Sequence, residues 1–187
     1  MTRYLGPRKK ILKRFDLLSD QKPKRETKKR KSDYAIRLEE RQKLKFIYDI
    51  TERQFHRYVL EALKSSEEPG EYLLRLLETR LDNVVYRLGF ASTRPQARQL
   101  VAHGHVTVNG KKVDVSSYHV LPRDRIALAK DIFESPHVRE ALQQRKPTEI
   151  ATWIEREKNV GRVKHLPKVS ELRRDILTHL IFEFYSK

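Results

Sequence analysis

The sequence has 187 residues, with 41 Lys or Arg against 25 Asp or Glu, a formal charge of +16 and a pI near 10.1. That balance implies a polyanionic partner, nucleic acid ahead of a membrane surface. Cysteine is absent, which excludes disulfides and thiolate metal sites, and neither a run of roughly 18 apolar residues nor an apolar segment behind the basic N-terminus suggests a membrane span or a secretory signal.

Residues 1–31 carry thirteen Lys or Arg against Asp16, Asp20 and Glu26, a net +10. The opening MTRYLGPRKKILKR interleaves Arg3, Arg8, Lys9, Lys10, Lys13 and Arg14 with Tyr4, Leu5, Ile11 and Leu12, so it can stack and pack as well as neutralise charge. Lys22 to Lys31 holds seven basic residues in ten, Lys28, Lys29, Arg30 and Lys31 among them, and no large apolar side chain. Such a run does not fold alone. It is either a solvated tail or an arm that orders along phosphates, and on this chain the arm is the better reading.

Ser32 or Asp33 starts a helix through about Tyr48, with Leu38, Leu44, Ile47 and Tyr48 on a buried side. Thr51 and Gln54 form a capping-box pattern for the next helix. Its apolar stripe is Phe55, Tyr58, Val59, Ala62 and Leu63, while Arg53 and Arg57 project elsewhere, one turn apart. Ser65 to Gly70 reads as a loop, and a third helix starts near Glu71 with Leu73, Leu76 and Leu77.

Leu81, Val84, Val85 and Leu88 fall at helical spacing, and Gly89 can take the left-handed conformation that ends a helix. Ser92 or Thr93 caps a second helix with Pro95 in its first turn. Ala97, Leu100 and Val101 make its apolar face; Arg94 and Arg98 lie one turn apart on another, pointing the same way. Gly104 breaks this helix. Val106 and Val108 alternate with His105 and Thr107 as a strand. Asn109-Gly110 is a strong hairpin signal, because a type I′ turn needs positive φ at both central positions. Lys111 to Val115 is the return strand, and a further strand runs Arg125 to Leu128.

After Leu128 the pattern weakens. Val138 to Gln144 reads as a short helix after Pro136. Trp153 and Ile154 begin an edge strand, Gly161 and Pro167 punctuate loops, and Ser170 caps a final helix with Leu172, Ile176 and Leu180. Phe182 and Phe184 alternate with Glu183 and Tyr185, which suits a packed extended tail.

Ser92, Ala97-Arg98, Leu100-Val101, Gly104, Val106, Val108-Asn109-Gly110, Val113 and Pro122 to Asp124 resemble the RNA-binding module named after the fourth protein of the small ribosomal subunit. MTRYLGPR at the start, SDYAIRLEERQKLKFIYDITERQF at Ser32 to Phe55, LLETRLDNVVYRLGFASTRPQARQLV at Leu76 to Val101 and the ending HLIFEFYSK extend the resemblance over nearly the whole chain. The sequence is similar to the bacterial and plastid form of that ribosomal protein family, and RLEERQKLKF is closest to its chloroplast and cyanobacterial branch. The chain departs from many relatives in having only the compressed run Asp16 to Lys31 between the opening motif and the first helix, and Lys130 to Lys168 matches the family poorly.

The resemblance implies an α+β fold: a helical domain, 32–79, completed by the C-terminal segment 169–187, with an RNA-binding hairpin module and small antiparallel sheet, 80–168, inserted, and a basic extension, 1–31. It implies binding to the five-prime domain of small-subunit ribosomal RNA at a multi-helix junction, an early place in subunit assembly, and a surface beside the channel through which messenger RNA enters. Partners implied are that RNA, messenger RNA, and small-subunit proteins two, three and five. No cofactor, no membrane and no homo-oligomer are expected. The implied location is the ribosome, in the chloroplast stroma ahead of the bacterial cytoplasm. On the module, Arg80, Arg87, Arg94, Arg98, His103, His105, Asn109, Lys111 and Lys112 are expected at the RNA; any single one is equally readable as a solvated charge, and Asn109 is first a turn residue. Asp82 caps its helix or pairs with Arg80 or Arg87.

Three other readings use the same features. Arg80-Leu81-Asp82 mimics the Arg-Leu-Asp around the catalytic aspartate of pseudouridine synthases, but no catalytic domain follows and Asp82 starts an amphipathic helix. A free-standing RNA chaperone or heat-shock-type binder would lack the opening motif and the YSK ending. A membrane-surface arm would need large apolar groups opposite the charge.

Overall fold

The computed structural model describes residues 8–15, 32–144, 150–173 and 175–185. Contacts divide the chain into two compact units, residues 1–60 with 174–187, and residues 61–173. The architecture is α+β. No helix among the described residues is long and apolar enough to cross a membrane.

The first unit holds α1 (Arg8–Arg14), α2 (Asp33–Tyr48), most of α3 (Glu52–Lys64) and α9 (Thr178–Tyr185). Ser32 is the N-cap of α2, its hydroxyl accepting from Ala35 N–H at 3.3 Å. Thr51 Oγ1 accepts from Gln54 N–H at 3.4 Å, but Gln54 Oε1 is buried without a hydrogen bond, so only half of the expected capping box forms. Leu44, Tyr48, Phe55 and Val59 are buried as the periodicity predicts, whereas Leu63 is half exposed.

The C-terminal segment corrects two expectations. Ser170 does not cap the last helix; Val169–Glu171 is a single 3-10 turn, closed by the Glu171 carboxylate accepting from Lys168 N–H at 2.8 Å. Phe182 to Tyr185 is not extended but lies in α9. Thr178, Ile181 and Tyr185 share one face of that helix, Ile181 is fully buried, and Tyr185 donates its hydroxyl to Glu52 Oε1 at 2.7 Å. Along α2, Arg37 meets Glu183 at 2.7 Å and Glu40 accepts from Leu177 N–H at 3.1 Å. Helix packing against α2 thus overrides the period-two appearance of the tail.

The second unit holds the end of α3, α4 (Pro69–Glu78), α5 (Leu81–Arg87), α6 (Arg94–Ala102), β1 (Val106–Val108), β2 (Lys111–Lys112), β3 (Arg125–Leu128), α7 (Lys130–Phe133), α8 (Pro136–Gln144), β4 (Ile154–Glu157) and β5 (Val160–Val163). α4 begins two residues earlier than its apolar pattern suggests. Pro69 sits in its first turn, and the Glu68 carboxylate accepts from the N–H groups of Gly70 and Glu71. The expected boundary at residue 79 differs from the observed grouping, in which α4 goes with the module. Hydrogen bonds tie its C-terminal end there: Val120 N–H donates to Thr79 O at 3.0 Å and Asn83 Nδ2 to Glu78 O at 2.9 Å.

The five strands form one antiparallel sheet in the order β2-β1-β3-β5-β4. Val106, Val108, Ile126, Leu128, Ile154 and Val163 face inward and bury against Leu81, Val85 and Leu88 of the α5 segment and Ala97 and Val101 of α6. Gly161 is not loop punctuation but lies inside β5, opposite Ile126. A Cβ there would stand 2.3 Å from Leu88 Cδ1, so glycine lets the sheet close onto α5. β2 is shorter than the expected return strand. After Val113 N–H bonds Val106 O, the chain leaves the sheet and Val115 is exposed.

Candidate nucleic-acid interface

The module is organised around a buried carboxylate. Asp82, at the start of α5, has its carboxylate gripped by two guanidinium groups. Arg80 Nη2 reaches Asp82 Oδ2 at 2.7 Å and Arg98 Nη2 reaches the same oxygen at 2.6 Å, with Nε of each adding a second bond. All three residues are under 5% exposed. One expectation is corrected by this. Arg80 and Arg98 do not line a surface, because both guanidinium groups are buried against the Asp82 carboxylate, which compensates their charge inside the module. Of its two expected partners Asp82 takes Arg80, with Arg98 in place of Arg87.

A second network continues from the first. Asn83 Nδ2 donates to Glu78 Oε2 at 2.8 Å, and Asn83 Oδ1 accepts from Arg94 Nε at 2.8 Å. Arg87 makes a bidentate pair with Glu78, at 3.0 and 2.5 Å. Arg94 also lies over the Tyr86 ring, its Cζ 4.4 Å from the centroid. Arg87 and Arg94 are therefore half-buried side chains held in fixed orientations by Glu78, Asn83 and Tyr86. Sequence reading missed those three. For Glu78 and Asn83 the local signal was the largely polar stretch that they delimit, interrupted only by Leu81, and Tyr86 had none.

Thr93 is the cap of α6, its hydroxyl accepting from Gln96 N–H at 3.3 Å, and Gly104 ends the segment at φ +73°. The hairpin turn has φ +51° at Asn109 and +81° at Gly110, the values the Asn-Gly pair predicts. The Asn109 side chain is committed within the protein: Nδ2 donates to Asp124 Oδ1 at 2.7 Å and Oδ1 accepts from Arg125 N–H at 2.9 Å. These bonds give the side chain the turn role expected first, whereas the RNA contact expected at Asn109 is a backbone one. Lys111 and Lys112 stand exposed beside it, and His103 is exposed while His105 is half-buried.

On the outer face of the sheet, Arg125 and Arg162 stand directly opposite each other, both exposed. Like charges so placed cost stability. Glu155, 3.9 Å from Arg162, offsets part of that cost, and an anion lying over the pair would offset more. Neither arginine was singled out from sequence, because nothing local shows that residues 37 apart become neighbours. In the first unit, Arg53 and Arg57 are exposed one turn apart on α3, and Lys9, Lys10, Lys13 and Arg14 are exposed on α1, anchored by buried Phe15 against Phe46 with ring centroids 6.2 Å apart. Arg3, Tyr4, Lys28, Lys29, Arg30 and Lys31 lie outside the described residues, as does the Arg8 side chain.

The "Ribosomal protein S4/S9 N-terminal domain" model matches residues 3–78 and the "S4 domain" model residues 79–126. The "Small ribosomal subunit protein uS4" of Persephonella marina is 46% identical, with all of both chains covered. The chain belongs to the uS4 family. The proteins of the same name from Akkermansia muciniphila and Aquifex aeolicus are 41% and 45% identical, again over the full length of both chains. These uS4 relatives are ribosomal proteins and not enzymes, which removes the pseudouridine-synthase reading of Arg80-Leu81-Asp82. The geometry agrees with the family: the Asp82 carboxylate is closed off between two arginines rather than presented to a nucleotide.

The uS4 family accounts for a surface whose cations are anchored from beneath. A guanidinium held by Asn83 and an aromatic ring loses little further entropy on meeting a phosphate. The two histidines do not sit in a metal-binding group among the described residues.

Proposed function

We propose that the chain is a structural protein of the small ribosomal subunit that binds the five-prime domain of small-subunit ribosomal RNA. The observation that carries this reading is identity of 41–46% over the full length of small-subunit ribosomal proteins. The exposed Arg53, Arg57, Lys111, Lys112, Arg125 and Arg162, with the half-buried Arg87 and Arg94, support a phosphate-reading surface. Recognition is of a folded junction by shape, because side chains cannot read the deep, narrow major groove of A-form RNA.

The finer assignments rest on the family resemblance: nucleation of assembly, a place beside the messenger RNA channel, and proteins two, three and five as neighbours. The plastid branch rests on RLEERQKLKF alone, whereas the uS4 relatives at 41–46% identity are bacterial proteins. Localisation of the tagged chain, in plastid or in bacterial cytoplasm, decides it. For assembly, the purified chain alone is incubated with full-length small-subunit ribosomal RNA and footprinted with hydroxyl radicals. Protection confined to the five-prime domain, without any other ribosomal protein, is expected. Protection that forms only after other proteins are added contradicts a nucleating role.

A further inference from the structure

A cleft of about 410 Å³ opens on the module where α6, the start of β1 and the α7–α8 segment meet. Its apolar part is Leu100, Ile132 and Val138. Its polar lining comes from Gln96, Gln99, His103, His105, Ser135 and His137. Among the described residues no Lys, Arg, Asp or Glu lines it, on a chain of net charge +16. Phosphate is therefore the wrong occupant, and a neutral, flat group with hydrogen-bonding edges is the right one. An apolar floor offers a face to stack on, and the amide and imidazole groups can donate or accept along an edge. RNA presents such a group wherever a base is splayed out of a loop or bulge.

The cation is close by. A Cβ on Gly104 would lie 1.8 Å from Lys112 Cε and 2.5 Å from Lys112 Nζ. The Lys112 side chain thus lies across the bare backbone of Gly104, the residue between the two histidines. His103 and His105 have ring centroids 6.0 Å apart. Gly104 is needed for its φ of +73°, and a side chain there would displace the flexible end of Lys112.

We propose that this cleft takes one unpaired nucleobase of the bound RNA, with the Lys112 ammonium group on the phosphate of that nucleotide or its neighbour. The proposal rests on the RNA-binding reading above and adds what the site reads. Two substitutions separate its parts. Gln99→Trp, at an exposed position, blocks the cleft without changing charge. It is expected to weaken binding to a transcript of the five-prime domain by about five- to a hundredfold, the range for losing one stacked base, with the salt slope unchanged. Lys112→Gln is expected to lower the magnitude of that slope by about 0.7–0.9, the value for one phosphate. Wild-type affinity in Gln99→Trp overturns the proposal while leaving the RNA-binding reading intact. A wild-type chain without preference for this transcript overturns the reading itself. Ultraviolet crosslinking of the unaltered chain to the same transcript gives a second readout, independent of how the variants fold. Crosslinked nucleotides within residues 96–105 or 132–138 support the cleft, and crosslinks confined to other peptides overturn it. The same crosslinking on assembled subunits also overturns it if this cleft yields a protein peptide in place of a nucleotide.

Discussion

Asp82 is the residue on which the module turns. It holds Arg80 and Arg98 at 2.6–2.7 Å in a site that admits almost no water. Removing one partner of a buried pair costs more than the pair contributes, because the remaining charge has no compensation. Asp82→Ala is expected to destabilise the protein by about 3–5 kcal/mol, read as a fall in the urea midpoint; a change within about 0.5 kcal/mol would contradict the geometry. His119 gives a second residue-scale test. Burial, and next the Arg80 charge, hold its pKa below the usual 6.5, and its ring shares a hydrogen bond of 3.1 Å with Thr79. The unfolded chain takes up this proton near pH 6.5 and the folded chain resists it. The stability it contributes is full above that pH and is lost as pH falls toward the folded pKa. Denaturation at about pH 7.5, 6 and 5 is expected to show a loss on acidification that is smaller in His119→Gln.

Of these two features only the Asp82–Arg80 pair, two positions apart, was legible in the sequence, and the reason the rest was not is the same for both. Asp82 and Arg98 stand 16 positions apart, and Thr79 and His119 stand 40 apart, so no period connects them. What was legible was local. Asn109-Gly110 dictates its own turn, Ser32 its own cap, and Phe55, Tyr58, Val59 and Ala62 their own face of α3. Arg80 and Arg98 were counted correctly as charge and placed wrongly as surface, because composition does not say which cations a carboxylate has taken inside.

At the scale of elements, β5 and α9 show where tertiary packing decides. Gly161 looks like a loop residue until Leu88, 73 positions earlier, is seen filling the space its side chain would occupy. Gly161→Ala forces that buried leucine to move and is expected to cost about 1–3 kcal/mol. A thermal melt coinciding with that of the unaltered protein would contradict the close approach. α9 was misread because Phe182 and Phe184 also satisfy an alternating pattern. The helix wins by burying Ile181 and delivering Tyr185 to Glu52, beside Lys45 and Arg41. Burial pushes the Glu52 carboxyl up, but the Lys45 and Tyr185 hydrogen bonds outweigh it and leave its pKa below the usual value. On α3, the exposed pair is separable from the fold: Arg53→Gln with Arg57→Gln is expected to leave stability within about 0.5 kcal/mol and to lower the magnitude of the RNA salt slope by about 1.5. Lost stability with an unchanged slope would assign these arginines to the core instead.

At the scale of the molecule, the two compact units share one electrostatic character and differ in how they present it. The first sets exposed cations on helices α1 and α3. The second holds Arg87 and Arg94 in place on Glu78, Asn83 and Tyr86, and spreads Lys111, Lys112, Arg125 and Arg162 over its hairpin and sheet. Charge alone would bind any RNA, so selectivity has to come from how rigidly these groups are placed. The measurement that tests this most directly is affinity of the full chain for the five-prime-domain transcript against a structured RNA of equal length, across a salt series. A preference of several orders of magnitude, with log affinity falling against log salt at a slope of about −7 to −9 for about ten neutralised phosphates, is the predicted result. Equal affinity for both RNAs with the same slope would contradict it, and would leave a basic protein that holds RNA by charge alone.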